Sequence, residues 1–310
     1  MTTERQDVYT RVTDAIIADL EHGVRPWLRP WDAGHADGRI TRPLRSGGQP
    51  YQGINVLMLW ASAMTQGFAA PIWMTFRQAK ELGAFVKKGA KGSLVVYADR
   101  ITRTETGEDG EETERDIYYM KGYTVFNVEQ IEGLPDRYYA VAAPTLDPVQ
   151  RIEHADRFFA HSRADIRHGG NRAYYAEGLD YVQMPPFAAF RDAESYYATL
   201  AHELTHHTKH ASRLNRSFGS RGFGSEGYAR EELVAEIGAA FLCCDLGLTP
   251  SPREDHASYL DHWLKVLRDD KRAIFQAAAH AQRACDYLHA LQPKPAEVPE
   301  PLTISKPQAA

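Results

Sequence analysis

The sequence predicts an α+β protein of two domains, in which a small α+β domain precedes a mainly helical domain with a short antiparallel sheet. Its 310 residues are long enough for two domains of ordinary size. Helical and strand-like hydrophobic patterns mix in the first half, whereas long helical patterns dominate the second. The segment 144–150, PTLDPVQ, joins the halves and contains a helix-start signal, which makes it the predicted boundary.

The first domain is expected to span residues 1–143. An apolar residue at every fourth position over 8–20 predicts an amphipathic helix. A second helix is predicted over 55–66, and a third begins at Thr75, which has capping-box spacing to a glutamine. Two β-branched and aromatic runs then flank the acidic segment 104–116, and this pattern predicts a β-hairpin with a long charged tip.

The second domain is expected to span residues 144–290. It opens with a helix whose N-cap is Asp147. Three short strands should follow, over 165–168, 172–176 and 180–184. Helices are then predicted over about 193–210, 228–246, 254–268 and 271–290. Residues 291–310 contain five prolines and no aromatic residue, which predicts a disordered tail.

Composition excludes several classes of protein. With 43% hydrophobic and 25% charged residues, the chain has the composition of a soluble globular protein. It contains no apolar stretch long enough to cross a bilayer, and its polar N-terminus does not resemble a secretory signal. Three cysteines, two of them adjacent, cannot form a disulfide framework. We therefore expect a cytoplasmic protein.

The distribution of charge favours a nucleic-acid partner, although the net charge of −5 does not. The segment from Arg39 to Arg103 contains ten basic residues and only two acidic ones, Glu81 and Asp99, so it carries a charge of +8. The same domain is rich in aromatic residues. Cationic side chains that neutralise phosphates, together with aromatic faces that stack on unpaired bases, are typical of proteins that bind single strands.

We therefore predict that the first domain binds single-stranded DNA with little base preference. The candidate DNA-binding residues are Arg39, Arg42, Arg45, Tyr51, Trp73, Arg77, Lys87, Lys88 and Lys91. The alternative for any one aromatic ring is a place in a small core, and it is the charge of the segment that favours binding. The sequence shows no motif for sequence-specific reading of duplex DNA.

The sharpest motif is His202-Glu203-Leu204-Thr205-His206, which lies inside a helical pattern. Residues four apart lie about 40° from each other around a helix, so both imidazoles face one point, as a tetrahedral Zn²⁺ requires. Glu203 projects beside that point, where it can act as the catalytic general base. An apolar approach to the motif and an acidic helix downstream favour this interpretation over a pair of surface histidines.

The acidic helix, from Glu231 to Leu242, carries carboxylates within an apolar stripe of small residues. A buried carboxylate without a partner is costly, so these acids need a cation or strong donors. We predict that Glu232 is the third metal ligand and that Glu236 accepts a hydrogen bond from a ligand histidine. An ion pair is the alternative role for Glu232. Glu231 is expected to point elsewhere, solvated or paired with Arg230.

Two histidines and a carboxylate suit Zn²⁺, and they also accept Mn²⁺, Co²⁺ or Fe²⁺. The expected chemistry is peptide hydrolysis, in which Glu203 activates the attacking water and the metal polarises the scissile carbonyl. Such a reaction needs a donor for the transition-state oxyanion. Three residues are unranked candidates for that donor: Tyr228, Tyr259 and His262.

Long segments of the chain resemble the ArdC-type antirestriction proteins of mobile elements, which are relatives of the conjugative primase TraC. In the first half these segments are RPWLRPW (25–31), PYQGINVLMLW (50–60), WMTFRQAKELGAFVKKGAKGSLVVYADR (73–100) and VFNVEQIEGLP (125–135). In the second half they are YYATLAHELTHHT (196–208), YAREELVAEIGAAFL (228–242) and YLDHWLKVLRDDKRAIFQAAAHAQRACDYL (259–288). The resemblance covers nearly everything from residue 5 to 290.

The resemblance implies an N-terminal single-stranded-DNA-binding domain, a C-terminal zincin-like metallopeptidase domain, and protection of entering plasmid DNA from host restriction. The second domain also resembles SprT-type proteases in plan, which implies a restriction protein or another DNA-bound protein as substrate. In the zincin plan an edge strand aligns the substrate peptide, and 180–184 is the candidate for that strand.

Two alternatives to the peptidase interpretation stay open. The protein can protect DNA by coating the strand, with a structural or vestigial metal site. Alternatively, the metal domain can be a docking module without catalysis.

Overall fold

The computed structural model describes residues 7–27, 42–106, 112–139, 148–219, 225–248 and 257–293. The described residues form an α+β fold with eight α-helices and nine β-strands, as the sequence predicts. Arg39, the predicted domain boundary at 143/144 and nearly all of the predicted disordered tail lie outside these ranges. None of the described helices is both long and apolar enough to cross a membrane.

Three helices belong to the first half: α1 (Val8–Glu21), α2 (Ile54–Gln66) and α3 (Phe76–Glu81). The Asp7 side chain caps α1 by accepting the Thr10 N–H at 3.1 Å. The predicted capping box of α3 is confirmed, since Thr75 and Gln78 each bond the other's backbone N–H. Local capping signals therefore mark where α1 and α3 begin.

Six strands accompany them: β1 (Leu44–Arg45), β2 (Ile72–Met74), β3 (Phe85–Val86), β4 (Ser93–Thr106), β5 (Glu112–Asn127) and β6 (Ile131–Glu132). Four of them form a sheet in the order β1-β2-β5-β4, and β3 pairs separately with β6. The predicted hairpin is β4–β5, and its pairing runs from Ser93–Val125 to Thr106–Glu112. Much of the acidic segment expected as a loop is therefore strand.

The second half contains α4 (Pro148–Ala160), β7 (Asp165–His168), β8 (Tyr174–Ala176), β9 (Tyr181–Met184), α5 (Ala193–His207), α6 (Glu226–Leu246), α7 (Ala257–Asp269) and α8 (Ala273–Ala290). Its sheet has the order β7-β9-β8. Because β9 is parallel to β7 and antiparallel to β8, the sheet is mixed. The expectation that 180–184 forms an edge strand is wrong, since β9 is paired on both sides.

One apolar core joins the two halves. Trp27, just after α1, meets Trp263 of α7 edge-on with ring centroids 5.8 Å apart. Trp263 stacks on Tyr259 at 6.1 Å, and Tyr259 lies 6.0 Å from Tyr228 of α6. We call these four rings the aromatic row. They connect the N-terminal segment to the helix that carries the acidic residues.

Candidate metal centre

Helices α5 and α6 bring His202, His206 and Glu232 together, as the sequence predicts. The Nε2 atom of His202 lies 3.5 Å from Glu232 Oε2, and Nε2 of His206 lies 3.4 Å from Oε1 of the same carboxylate. One donor atom from each residue lies within 4.8 Å of the other two, and all three side chains are buried. Glu203 is also buried, between the two histidines on α5.

This geometry fits a divalent metal. Two donors that are each about 2.05 Å from a tetrahedral ion lie roughly 3.3 Å apart. The histidine–carboxylate separations of 3.4 and 3.5 Å are close to that value. They are long for a hydrogen bond, so an ion satisfies these donors better than a direct N–H···O contact does.

Each of the two candidate ligand histidines also has a carboxylate on its other nitrogen. His202 Nδ1 lies 3.2 Å from Glu236 Oε1, as predicted for that residue, and His206 Nδ1 lies 3.0 Å from Glu231 Oε1. A carboxylate at Nδ1 fixes the ring and directs Nε2 to the metal. Burial alone lowers the pKa of His206, but the charge of Glu232 and the bond to Glu231 outweigh it and raise the pKa.

The prediction for Glu231 is therefore wrong: it is buried and does not pair with Arg230. Its second partner is Arg216, whose Nε and Nη2 lie 2.8 Å from the two carboxylate oxygens. Arg216 also bonds the Thr208 hydroxyl at 3.1 Å and the Thr205 carbonyl at 2.9 Å. Burial alone raises the pKa of Glu231, but the bonds from Arg216 and His206 lower it to about 2.

The charges buried here call for a cation. Four carboxylates are buried around the two histidines: those of Glu203, Glu231, Glu232 and Glu236. The guanidinium of Arg216 is buried beside them. With neutral imidazoles these groups carry a net charge of −3, which is costly in a medium of low dielectric constant. A divalent ion reduces the imbalance and accepts all three ligand atoms.

A glycine sets the spacing of the two helices. A Cβ atom at Gly238 of α6 would lie 2.6 Å from Cγ2 and 2.8 Å from Oγ1 of Thr205 on α5. Thr205 cannot swing away freely, because it is β-branched and its hydroxyl donates to the Ala201 carbonyl at 2.8 Å. Glycine is therefore required for the close approach that brings Glu232 to the histidines.

Among the three candidate oxyanion donors, Tyr228 is placed beside the ligands. It precedes Glu232 by one helical turn, and burial followed by the charge of Glu232 raises its pKa, so the phenol keeps its proton. Tyr259 lies behind it, with 3.2 Å between the two hydroxyl oxygens. His262 is exposed. The structure therefore favours Tyr228.

Three of the predicted DNA-binding residues are used inside the protein instead. Arg42 binds both oxygens of Asp245, at 2.6 and 2.8 Å, and its guanidinium lies 4.6 Å from the Phe241 ring centroid. Tyr51 is 3% exposed and Trp73 is 1% exposed. These findings correct the prediction, since a paired guanidinium and buried rings offer no free surface to phosphates or bases.

The remaining described candidates are exposed, and they are Arg45, Arg77, Lys87, Lys88 and Lys91. Arg77 Nε binds Glu81 at 2.8 Å, and Lys87 Nζ donates to the Glu129 carbonyl at 3.0 Å. These contacts are at the surface, where ion pairs are weak and easily exchanged for a ligand. The exposed part of the predicted set therefore lies mainly over residues 77–91.

Comparisons with known proteins match two family models to different parts of the chain. Residues 6–126 match the family described as the N-terminal domain of the anti-restriction factor ArdC. Residues 153–280 match the family of zincin-like metallopeptidases. The second match contains all four residues of the HExxH-plus-glutamate set.

Whole-chain relatives extend the match. Crystal structures of the antirestriction protein ArdC from plasmid R388, metal-free and Mn(II)-bound, have 48% and 47% identity and TM-scores of 0.77 and 0.76. Each comparison covers 92% of this chain and 98% of that one. The protein y4eC of Sinorhizobium fredii is 45% identical over 94% of this chain and 96% of its own. The DNA primase TraC of Escherichia coli is 38% identical over 95% of this chain, which spans only 28% of TraC.

Replacing Gly238 with alanine should destabilise the protein and weaken metal binding. Alanine normally stabilises a helix relative to glycine by about 1 kcal/mol, but here the added methyl must push α5 away, at a cost of about 1–3 kcal/mol. Urea unfolding and calorimetric titration with Mn²⁺ measure both effects. Gly178→Ala, where no atom lies within 4 Å of the new methyl, is the control. The added change Thr205→Ala should restore metal affinity, and failure to do so contradicts the steric explanation.

Glu236→Gln should lower metal affinity by about 10- to 100-fold, because the amide orients His202 less well and makes its Nε2 less basic. Calorimetric titration with Zn²⁺ and Mn²⁺ measures the change. Glu226→Gln, a substitution of a half-exposed acid on the same helix, is the matched control and should have no effect. Equal affinities for all three proteins would show that Glu236 does not support the ligand.

Proposed function

Since this chain belongs to the family of ArdC antirestriction proteins, we propose that it is a divalent-metal-dependent peptidase that also binds single-stranded DNA and protects entering DNA from host restriction. One observation carries the peptidase proposal. His202, His206 and Glu232 converge within metal-binding distance, and Glu203 occupies the general-base position of the same motif. A purely structural metal site does not need that glutamate.

The side chains divide the work of hydrolysis. When bound, the divalent ion supplies Lewis-acid chemistry, which polarises a carbonyl and acidifies water. Glu203 takes the proton from the attacking water and returns it to the leaving amine. The Tyr228 hydroxyl donates a hydrogen bond to the oxyanion that develops on the scissile carbonyl. Glu236 and Glu231 hold the imidazole rings in place throughout.

Zn²⁺ is the proposed resident ion, with Mn²⁺ as the alternative. Two imidazole nitrogens and one carboxylate are a common ligand set for catalytic zinc. The same set accepts Mn²⁺, and a related ArdC protein has been crystallised with Mn(II). The proposed substrate is a protein that meets the incoming strand, such as a restriction enzyme or another DNA-bound protein.

The exposed cations of the first half support the proposal of single-stranded DNA binding. Lys87, Lys88 and Lys91 are exposed and follow one another within five residues. Such a cluster neutralises consecutive phosphates without reading bases. Arg45 and Arg77 are further proposed contacts. DNA coating without catalysis is the alternative route to the same protection. A substitution of Glu203 distinguishes the two, because only the peptidase needs that carboxylate.

Glu203→Gln should reduce hydrolysis of an unstructured protein by about 100-fold or more and leave Zn²⁺ affinity unchanged, because the amide cannot accept the proton. Hydrolysis is measured with and without single-stranded DNA, and protection is measured as plasmid transfer into a restricting host. Glu153→Gln, on the exposed face of α4, is the control. If the variant hydrolyses normally, the peptidase proposal fails. If hydrolysis is lost but protection persists, coating alone accounts for protection.

Replacing Lys87, Lys88 and Lys91 together with alanine should weaken binding to an oligothymidylate and flatten its salt dependence. Loss of three phosphate contacts lowers the slope of log K against log salt by about 2 for a single strand. Fluorescence anisotropy between 50 and 200 mM salt, roughly the range in which such contacts dominate, measures it. The control replaces three exposed cations of the second half, Arg191, Lys265 and Arg268. An unchanged slope would place the DNA elsewhere.

A further inference from the structure

Two phenylalanine rings of the first half are exposed, whereas the tryptophans that the structure describes there are buried. Phe85 is 71% exposed and Phe76 is 58% exposed, whereas Trp27, Trp60 and Trp73 are all at most 4% exposed. A phenyl ring has no polar atom to satisfy, so exposing it to water gives up the favourable burial of apolar surface. Two such exposed rings therefore call for a ligand.

The fold carries these two residues on one small scaffold. A separate apolar cluster, which includes Met74, Ala79 and Ile131, supports α3 and the β3–β6 pair. Gly83 ends α3 with a φ of +76°, and the Ala84 N–H then donates to the Ala79 carbonyl at 2.9 Å. The strand with Phe85 therefore follows directly on the last turn of the helix that begins with Phe76.

Alternation along β3 explains why Phe85 faces water. Val86 packs on the small apolar cluster, so the preceding side chain points to the opposite face. The pairing partner of Phe85 is Glu132, and neither residue is buried. The exposed ring is thus a fixed feature of a hydrogen-bonded strand pair.

Positive charge surrounds the rings. Residues 76–91 contain five basic residues and one acid, Glu81, which Arg77 binds at 2.8 Å. The strand leads into a turn over 87–90, closed by a bond from the Ala90 N–H to the Lys87 carbonyl at 3.1 Å. Gly89 permits this turn with a φ of +82°. Exposed lysines at 80, 87 and 88 therefore lie on both sides of Phe85 along the chain.

Two tyrosines that are exposed in the described part of this half, Tyr97 and Tyr139, do not combine these properties. The Tyr97 hydroxyl donates to Asp99 at 2.7 Å, so an acid lies beside that ring. The Tyr139 hydroxyl donates to the Ile131 carbonyl at 2.8 Å, which ties the ring to the scaffold. Phe76 and Phe85 are thus the exposed rings that coincide with the lysine-rich segment.

We infer that Phe76 and Phe85 form a stacking platform for unpaired bases, while Lys80, Lys87 and Lys88 hold the phosphates on either side. This inference rests on the proposed binding of single-stranded DNA and moves its aromatic component from Tyr51 and Trp73 to this platform. Aromatic stacking tolerates every base, so the platform binds single strands in preference to duplex and without sequence preference.

Anisotropy titrations of the full-length protein with a labelled oligothymidylate test the platform. Phe85→Ala and Phe76→Ala should each weaken binding about fivefold or more, and the double change should weaken it further. The salt slope should stay unchanged, because no phosphate contact is lost. Phe85→Trp should retain affinity, whereas Phe85→Leu should not. Phe187→Ala, which removes a 50%-exposed ring from the second half, is the matched control.

Each outcome decides the inference. Unchanged affinity of both alanine variants, with normal binding by the native chain, overturns the platform and leaves the rings to a protein partner. An equal loss for single strands and duplex overturns stacking. If the native chain itself binds no single strands, the proposed DNA binding fails and the platform fails with it. Matching unfolding midpoints of the variants and the control show that lost affinity does not reflect lost structure.

Discussion

The close approach of α5 and α6 is the constraint on which the metal centre depends. Two candidate ligands come from one helix and the third from the other, so the distance between the helices decides whether an ion can bind all three. Gly238 gives up about 1 kcal/mol of helix propensity, and the space left by its missing side chain is filled by Thr205. At position 238, close packing of the two helices therefore outweighs the loss of helix propensity that glycine causes.

Once the helices are this close, the chemistry of the buried groups follows. Glu231 and Glu236 each occupy the outer nitrogen of one histidine, which leaves the inner nitrogens directed at Glu232. Arg216 compensates one of the negative charges and ties the segment after α5 to α6. The site is thus preorganised by hydrogen bonds that do not involve the ion.

Much of this was predictable from sequence because it is local. Helix periodicity and capping residues predict the helices, and the four-residue spacings predict His202, His206, Glu232 and Glu236 as the residues of the site.

Arg216 was not predictable, because it lies in an irregular segment without periodicity. The burial of Glu231 was predictable, because α6 is apolar or small on nearly every face and leaves little room for a solvated acid. Strand order also lies beyond local patterns, which is why the prediction of an edge strand over 180–184 is wrong. In the first half, composition could not separate core rings from surface rings; only the packing distinguishes Trp73 from Phe85.

The aromatic row limits how the two halves of the gene can be separated by recombination. Trp27 and Trp263 belong to opposite ends of the chain, yet each is 1% exposed and their rings meet in one core. A gene fragment encoding only one half would leave a large indole uncovered and invite aggregation. Recombination should therefore preserve the pair as a unit, and the similarity of TraC to 95% of this chain within a much longer polypeptide has that form.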